Sequence, residues 1–346
     1  MAIIIIGFIA CNIISTPKEK AFEFSKFPKE RSIDTDNYLK IENLKPDGMI
    51  MYQDSLLIFR NAANTSTHHF SFFNLNDKTL SSKEILKFGR KSGQAMAFIS
   101  YGIFDNSLWV YDVIKEKIII SNLTNALKGD TSKLIKNEFN VPKPYYSVEM
   151  LNNKMMIADG DYDSNYRVVQ VNLQNGEIEK QLAPYSIDSS TVFTRPKKMA
   201  YESFLYLKPS GDKFVLAARY ADRIQIVDIK SNSSKIIKGP ENYDPDVVTM
   251  KGNDGKQLST RGPNTRYAFV KGKTTDDFIY LLYSGNNSEG DHLYYGKYIY
   301  VYDWKGNPIE KIAFSDYILD FAVTSDGSKI YTYDPKNKYV TVAKLK

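Results

Sequence analysis

FIYLLYS, Phe278 to Ser284, carries an apolar or aromatic side chain at almost every position. A strand with one wet face alternates apolar and polar residues, and this one does not, so both of its faces must be covered by protein. Five other stretches read the same way: SLLIFRN (Ser55 to Asn61), SLWVYDV (Ser107 to Val113), KMMIADG (Lys154 to Gly160), KFVLAAR (Lys213 to Arg219) and KIYTYDP (Lys329 to Pro335). Their apolar starts at Leu56, Leu108, Met155, Phe214, Ile279 and Ile330 are separated by 52, 47, 59, 65 and 51 residues. Each is followed by a partner strand: HHFSFFNLNDK, EKIIISNLTN, RVVQVNLQNGE, RIQIVDIKSNS, KYIYVYDWKGN and KYVTVAKLK. Several partners end in Asn-Gly, Lys-Gly-Asn or Lys-Ser-Asn, residues that let a chain double back.

Residues 46 to 346 divide into six units of about 50, the length of a four-stranded propeller blade. Helical periodicity is absent, and 25 Tyr and 19 Phe, with 19 Gly and 13 Pro scattered as single breaks, suit strands and turns. The reading is an all-β, six-bladed β-propeller over 38 to 346; one or two β-sandwiches are the alternative. The last unit runs out of chain after YILDFAV, KIYTYD and KYVTVAKL. NYLKIENL, Asn37 to Leu44, precedes the first unit, and it is expected to close the last blade from the N-terminal side.

The 346 residues carry a net charge of +6 with Lys and Asp/Glu interleaved, and no Lys/Arg tract marks a nucleic-acid partner. The single cysteine, Cys11, cannot form an internal disulfide, and the usual zinc frameworks are missing. It ends the apolar run MAIIIIGFIAC, too short to span a bilayer but suited to an export signal. Residues 1–11 therefore read as a lipoprotein signal peptide with Cys11 as the lipidation site, and 12–37 as a polar tether; a buried strand with a free thiol is the alternative.

Phe8-Ile9-Ala10-Cys11 resembles a lipobox, and with the six units the chain resembles the TolB-like six-bladed propeller lipoproteins of Gram-negative bacteria, a family generally of unknown function. KFGRKSGQ, Lys87 to Gln94, is similar to the Gly-Arg/Lys-Gly-Pro-Gly-Glu turn of such propellers, with Ser92 and Gln94 where that turn has Pro and Glu. The resemblance implies a lipid-anchored protein of the cell envelope, at the outer membrane on its periplasmic or surface side. It implies no particular chemistry.

Catalysis finds few candidates. His68, His69 and His292 have no nucleophile or carboxylate at motif spacing, SGNNSEG is not G-x-S-x-G, and GRKSG lacks the spacing of a phosphate loop. Asp159, Asp161 and Asp163 begin like a calcium loop, but Ser164 and Gln170 stand where an EF-hand needs Gly and Glu. No catalytic residue and no cofactor is assigned. Glu202 and Asp320, on the expected inner strands of blades four and six, are the ligands of an alternative reading, a lactonase-like hydrolase with a metal in the central channel.

The connections entering the inner strands are richer. GRKSGQAM, PKPYYS, TRPKKMAYE and STRGPNTRY put Arg90, Lys91, Lys143, Tyr145, Tyr146, Arg195, Lys197, Arg261 and Arg266 on one face of the disc. Such a basic, aromatic rim suits an anionic small molecule or an acidic protein or peptide partner. Solvated loop charge and packing tyrosine are the alternative. The expectation is a monomeric, membrane-anchored, non-catalytic binding or scaffolding propeller.

Overall fold

The computed structural model describes residues 21–42, 44–62, 68–81, 85–130, 133–185, 194–287 and 292–345. Cys11 and the whole expected signal peptide lie outside them.

Six antiparallel sheets form a ring, a six-bladed β-propeller. Blade one is Pro46–Tyr52, Leu56–Asn61, Phe70–Asn74 and Thr79–Ser81, from the axis outward. Blade two is Phe98–Phe104, Ser107–Asp112, Lys117–Asn122 and Ile135–Asn140; blade three is Ser147–Asn152, Met155–Asp159, Tyr166–Asn172 and Ile178–Pro184. Blade four is Ser203–Leu207, Lys213–Ala218, Arg223–Asp228 and Ser234–Lys238; blade five is Phe269–Thr274, Phe278–Tyr283, Gly296–Asp303 and Pro308–Ile318. The sixth sheet has Asp320–Val323, Lys329–Asp334 and Tyr339–Lys344, with Asp36–Lys40 lying antiparallel on the last of these. All six quoted stretches are second strands of their blades, and their partners are third strands.

Burial explains why FIYLLYS does not alternate. Among the described residues the core splits into six clusters, each between two neighbouring blades. Ile279, Leu281 and Tyr283 pack toward blade four, whereas Tyr280 and Leu282 pack toward blade six. Period two is intact, but both directions are apolar.

Side chains also staple neighbouring inner strands. Ser100 Oγ accepts the Val148 amide at 3.0 Å, Ser147 Oγ accepts the Leu205 amide at 3.1 Å, and Asp320 Oδ2 accepts the Met49 amide at 2.7 Å.

The described part of the expected tether, residues 21–37, is not one. Phe22–Glu23 pairs in parallel with the outer strand of blade four, and Lys29–Ser32 with that of blade five. Phe27, 2% exposed, sits in the cluster between those blades, and Arg31 meets Glu310 at 2.6 Å. The segment is a belt along the outer edges of three consecutive blades, held because those edges offer free backbone groups and an apolar seam.

Candidate ligand-binding face

Two kinds of connection emerge on the same face of the disc: those from an outer strand to the next inner strand, and those between second and third strands. We call it the upper face. The largest excursion there is residues 239–268, between blades four and five, which carries a hairpin, Val248–Lys251 paired with Gln257–Thr260. The 65-residue gap between Phe214 and Ile279 is the trace of this insertion. Helix α1, Arg195–Ala200, lies on the same face with Pro196 in its first turn, where the missing amide costs nothing.

Between hairpin and blades sits Arg219, at the end of the second strand of blade four. Its guanidinium donates to Glu202 Oε1 at 3.1 Å and to the Tyr146 hydroxyl at 2.8 Å. The rings of Phe204, Tyr220, Tyr267 and Tyr294 surround it with centroids 5.3 to 5.8 Å away. The Arg219 amide donates to the Glu202 carbonyl, and its carbonyl accepts the Ala268 amide, so the turn is tied to the entries of blades four and five. Burial pushes the Glu202 carboxyl above the usual carboxylate range, against the pull of Arg219. Burial opposes the charge on Arg219, but Tyr146, Tyr220, Glu202 and Tyr267 hold it protonated.

The structure disperses the other expected rim residues and pairs several of them. Lys143 meets Asp161 at 2.5 Å, Arg195 pairs with Asp163, and Lys256 at the hairpin tip lies 3.5 Å from the same carboxylate. The three acids of ADGDYDSN are thus met by cations: Asp159, buried, faces Arg167 at 4.0 Å. Arg266 pairs with Glu241 and stacks over Tyr243 at 4.3 Å. Arg261 donates to the Tyr267 hydroxyl. Lys197 is half-buried on α1. Arg90 and Lys91 are exposed in the blade one to two turn. Tyr145 is not on the rim: it is 3% exposed in the cluster between blades two and three, its amide donating to the Tyr111 hydroxyl at 2.9 Å.

The Lys87–Gln94 turn is built around a close approach. Gly89 has φ +148°, and a Cβ there would fall 2.1 Å from Gln94 Oε1, which accepts the Lys91 amide at 3.2 Å. Gln94 thus supplies a side-chain oxygen, as a Glu would.

The sequence profile described as TolB-like 6-blade propeller-like matches residues 23–326. The chain belongs to this family. Among solved structures, Kuenenia stuttgartiensis hydrazine synthase is similar at 11% identity and TM-score 0.47, over 89% of this chain and 97% of that one. The Cps50 (Swd1) β-propeller domain of Myceliophteria thermophila is similar at 10% identity and TM-score 0.48, over 89% of this chain and 99% of that one. Neither likeness bears on function. No curated protein matches.

In this TolB-like propeller the two carboxylates of the metal reading stand in separate surroundings. Glu202 is on the upper face with Arg219. Asp320 begins the inner strand of blade six, 1% exposed, with Lys273 Nζ at 3.6 Å and the Met49 and Phe321 amides on its oxygens. Among the described residues no three His, Cys, Asp or Glu converge as a metal site would need. Asp320 belongs to a polar network along the axis, where Lys271 donates to the Asp47 carbonyl at 2.9 Å and Lys273 to the Met49 carbonyl at 2.6 Å. Burial pushes Glu149, in the same lumen, up to about 8, with Lys273 opposing.

Arg219, Tyr220 and Tyr294 lie between second and third strands, outside the connections that enter inner strands, and so stand outside the expected rim. The dipeptides Arg219-Tyr220 and Arg266-Tyr267, near the two ends of the longest gap, are the signal the sequence offers.

Proposed function

We propose that this protein is a membrane-anchored, non-catalytic binding or scaffolding propeller of the cell envelope, whose ligand seats on the upper face. The fold and the family support a binding propeller in general. Family membership suggests a Gram-negative envelope context, and the anchor is assigned to Cys11 on the apolar run before it; among the described residues no helix is long and apolar enough to cross a membrane.

The observation that carries the reading is the gathering of Arg219, Glu202, Tyr146, Tyr220, Tyr267 and Tyr294 where the longest insertion meets the channel mouth. Around it Arg195 and Arg266 are held by Asp163 and Glu241, carboxylates 63% and 39% exposed that an acidic partner can replace. Exposed pairs of this kind are worth little to the fold, so exchanging one carboxylate for another costs little. The ligand is therefore an acidic protein segment or a small anion.

The test is titration of labelled hexaglutamate into the wild-type chain and into Arg195→Glu/Arg266→Glu. The proposal expects binding that weakens as salt rises and falls at least tenfold in the double variant. Equal affinity for the two proteins, or no binding to wild type at low salt, rejects the rim.

A further inference from the structure

We infer that the cavity beneath the Val248–Thr260 hairpin is a binding site for a small neutral polyhydroxylated ligand of the monosaccharide class. This rests on the reading that the upper face receives ligands, and it adds a second, uncharged specificity to that face.

The cavity is about 160 Å³, lined by Glu202, Tyr220, Asp246, Thr260, Arg261 and Met199 among others. A water occupies roughly 30 Å³ of liquid, so the space holds about five waters, less than a whole hexose; with Asp246 and Thr260 exposed at its edge, a sugar ring enters it in part. The cavity is far below the several hundred Å³ of a drug-sized site.

Its charges decide the ligand class. Glu202 is balanced by Arg219 at 3.1 Å, and the second carboxylate, Asp246, shares the cavity with Arg261. A bound anion would confront Glu202 and Asp246, and a bound ammonium would confront Arg261 with Arg219 behind. A polyol confronts neither. Its hydroxyls donate to the carboxylates and accept from the guanidinium, while Ser259, Thr260 and the Tyr220 phenol both donate and accept. Met199 and Ala200 of α1 supply an apolar wall for the C–H face of a ring. Sugar hydroxyls keep the lining polar groups hydrogen-bonded, a pairing that a purely apolar ligand would lose.

The test is calorimetric titration of the full chain with D-glucose, D-galactose, D-mannose and N-acetyl-D-glucosamine, with phosphate and ethylammonium as charged probes. At least one sugar is expected to bind with a Kd of about 1 mM, as befits so few atoms, while neither ion binds there. Glu202→Gln should weaken the sugar about tenfold. Thr260→Arg, at an exposed hairpin position that can tolerate a long side chain, should abolish it by filling the cavity. Binding of phosphate or ethylammonium without any sugar, no sugar binding at all, or sugar binding indifferent to Thr260→Arg overturns the inference. Hexaglutamate binding is read separately on the same proteins, so failure of the cavity and failure of the rim are distinguishable.

Discussion

The ring of Phe27, from the N-terminal belt, lies 4.7 Å from that of Tyr300 in blade five, with Phe24 packed edge-on at 5.0 Å. A tether would leave such a residue in water. Here it is part of the seam between blades four and five, so Phe27→Ala is expected to lower stability by about 3–5 kcal/mol, the cost of emptying a buried aromatic site. Urea unfolding measures it; a loss under about 0.5 kcal/mol would mean that the belt does not hold.

Ser147→Ala removes the acceptor of the Leu205 amide at the seam of blades three and four. Both residues are buried, so an unpaired amide is expected to cost about 1–3 kcal/mol. Chemical denaturation of the variant reads the value, and an unchanged midpoint would show that the staple contributes nothing.

Glu149 gives stability a pH dependence of definite sign. Burial raises its folded pKa from the usual 4.5 to about 8, so the folded chain binds a proton that the unfolded chain has released. That contribution is present at low pH and is lost as pH rises through the folded value, at up to about 1.4 kcal/mol per unit between about 4.5 and 8. Glu149→Gln should flatten this part of the profile, so its advantage over wild type grows from pH 6 to pH 9. Asp159 and Asp222, pushed up to about 6 by burial, titrate at the lower edge of that window in both proteins and cancel in the comparison. Parallel profiles of the two proteins above pH 6 would contradict the assignment.

Much of the ring was legible because second and third strands are buried on both faces. FIYLLYS and KFVLAAR therefore stand out as apolar runs, and the turns after several third strands carry Asn-Gly, Lys-Gly-Asn or Lys-Ser-Asn, which let the chain double back. The belt was not legible. Phe22–Glu23 and Lys29–Ser32 pair along one edge only and keep mostly polar, mostly exposed side chains, so no periodicity betrays them. On the upper face, charge was readable residue by residue, but pairing was not: Lys143 with Asp161 and Arg195 with Asp163 join loops 18 and 32 residues apart in sequence. Tyr145 and Tyr146 are adjacent, and only the fold decides that the first enters the core while the second bonds Arg219.

The central claim is that recognition takes place on the upper face, and its most direct measurement is backbone hydrogen exchange of the chain with and without saturating hexaglutamate. The account predicts slowed exchange in 143–146, 160–165, 195–202 and 259–268. Protection confined to the opposite connections, 208–212, 229–233 and 304–307, or to the belt at 22–40, would contradict it.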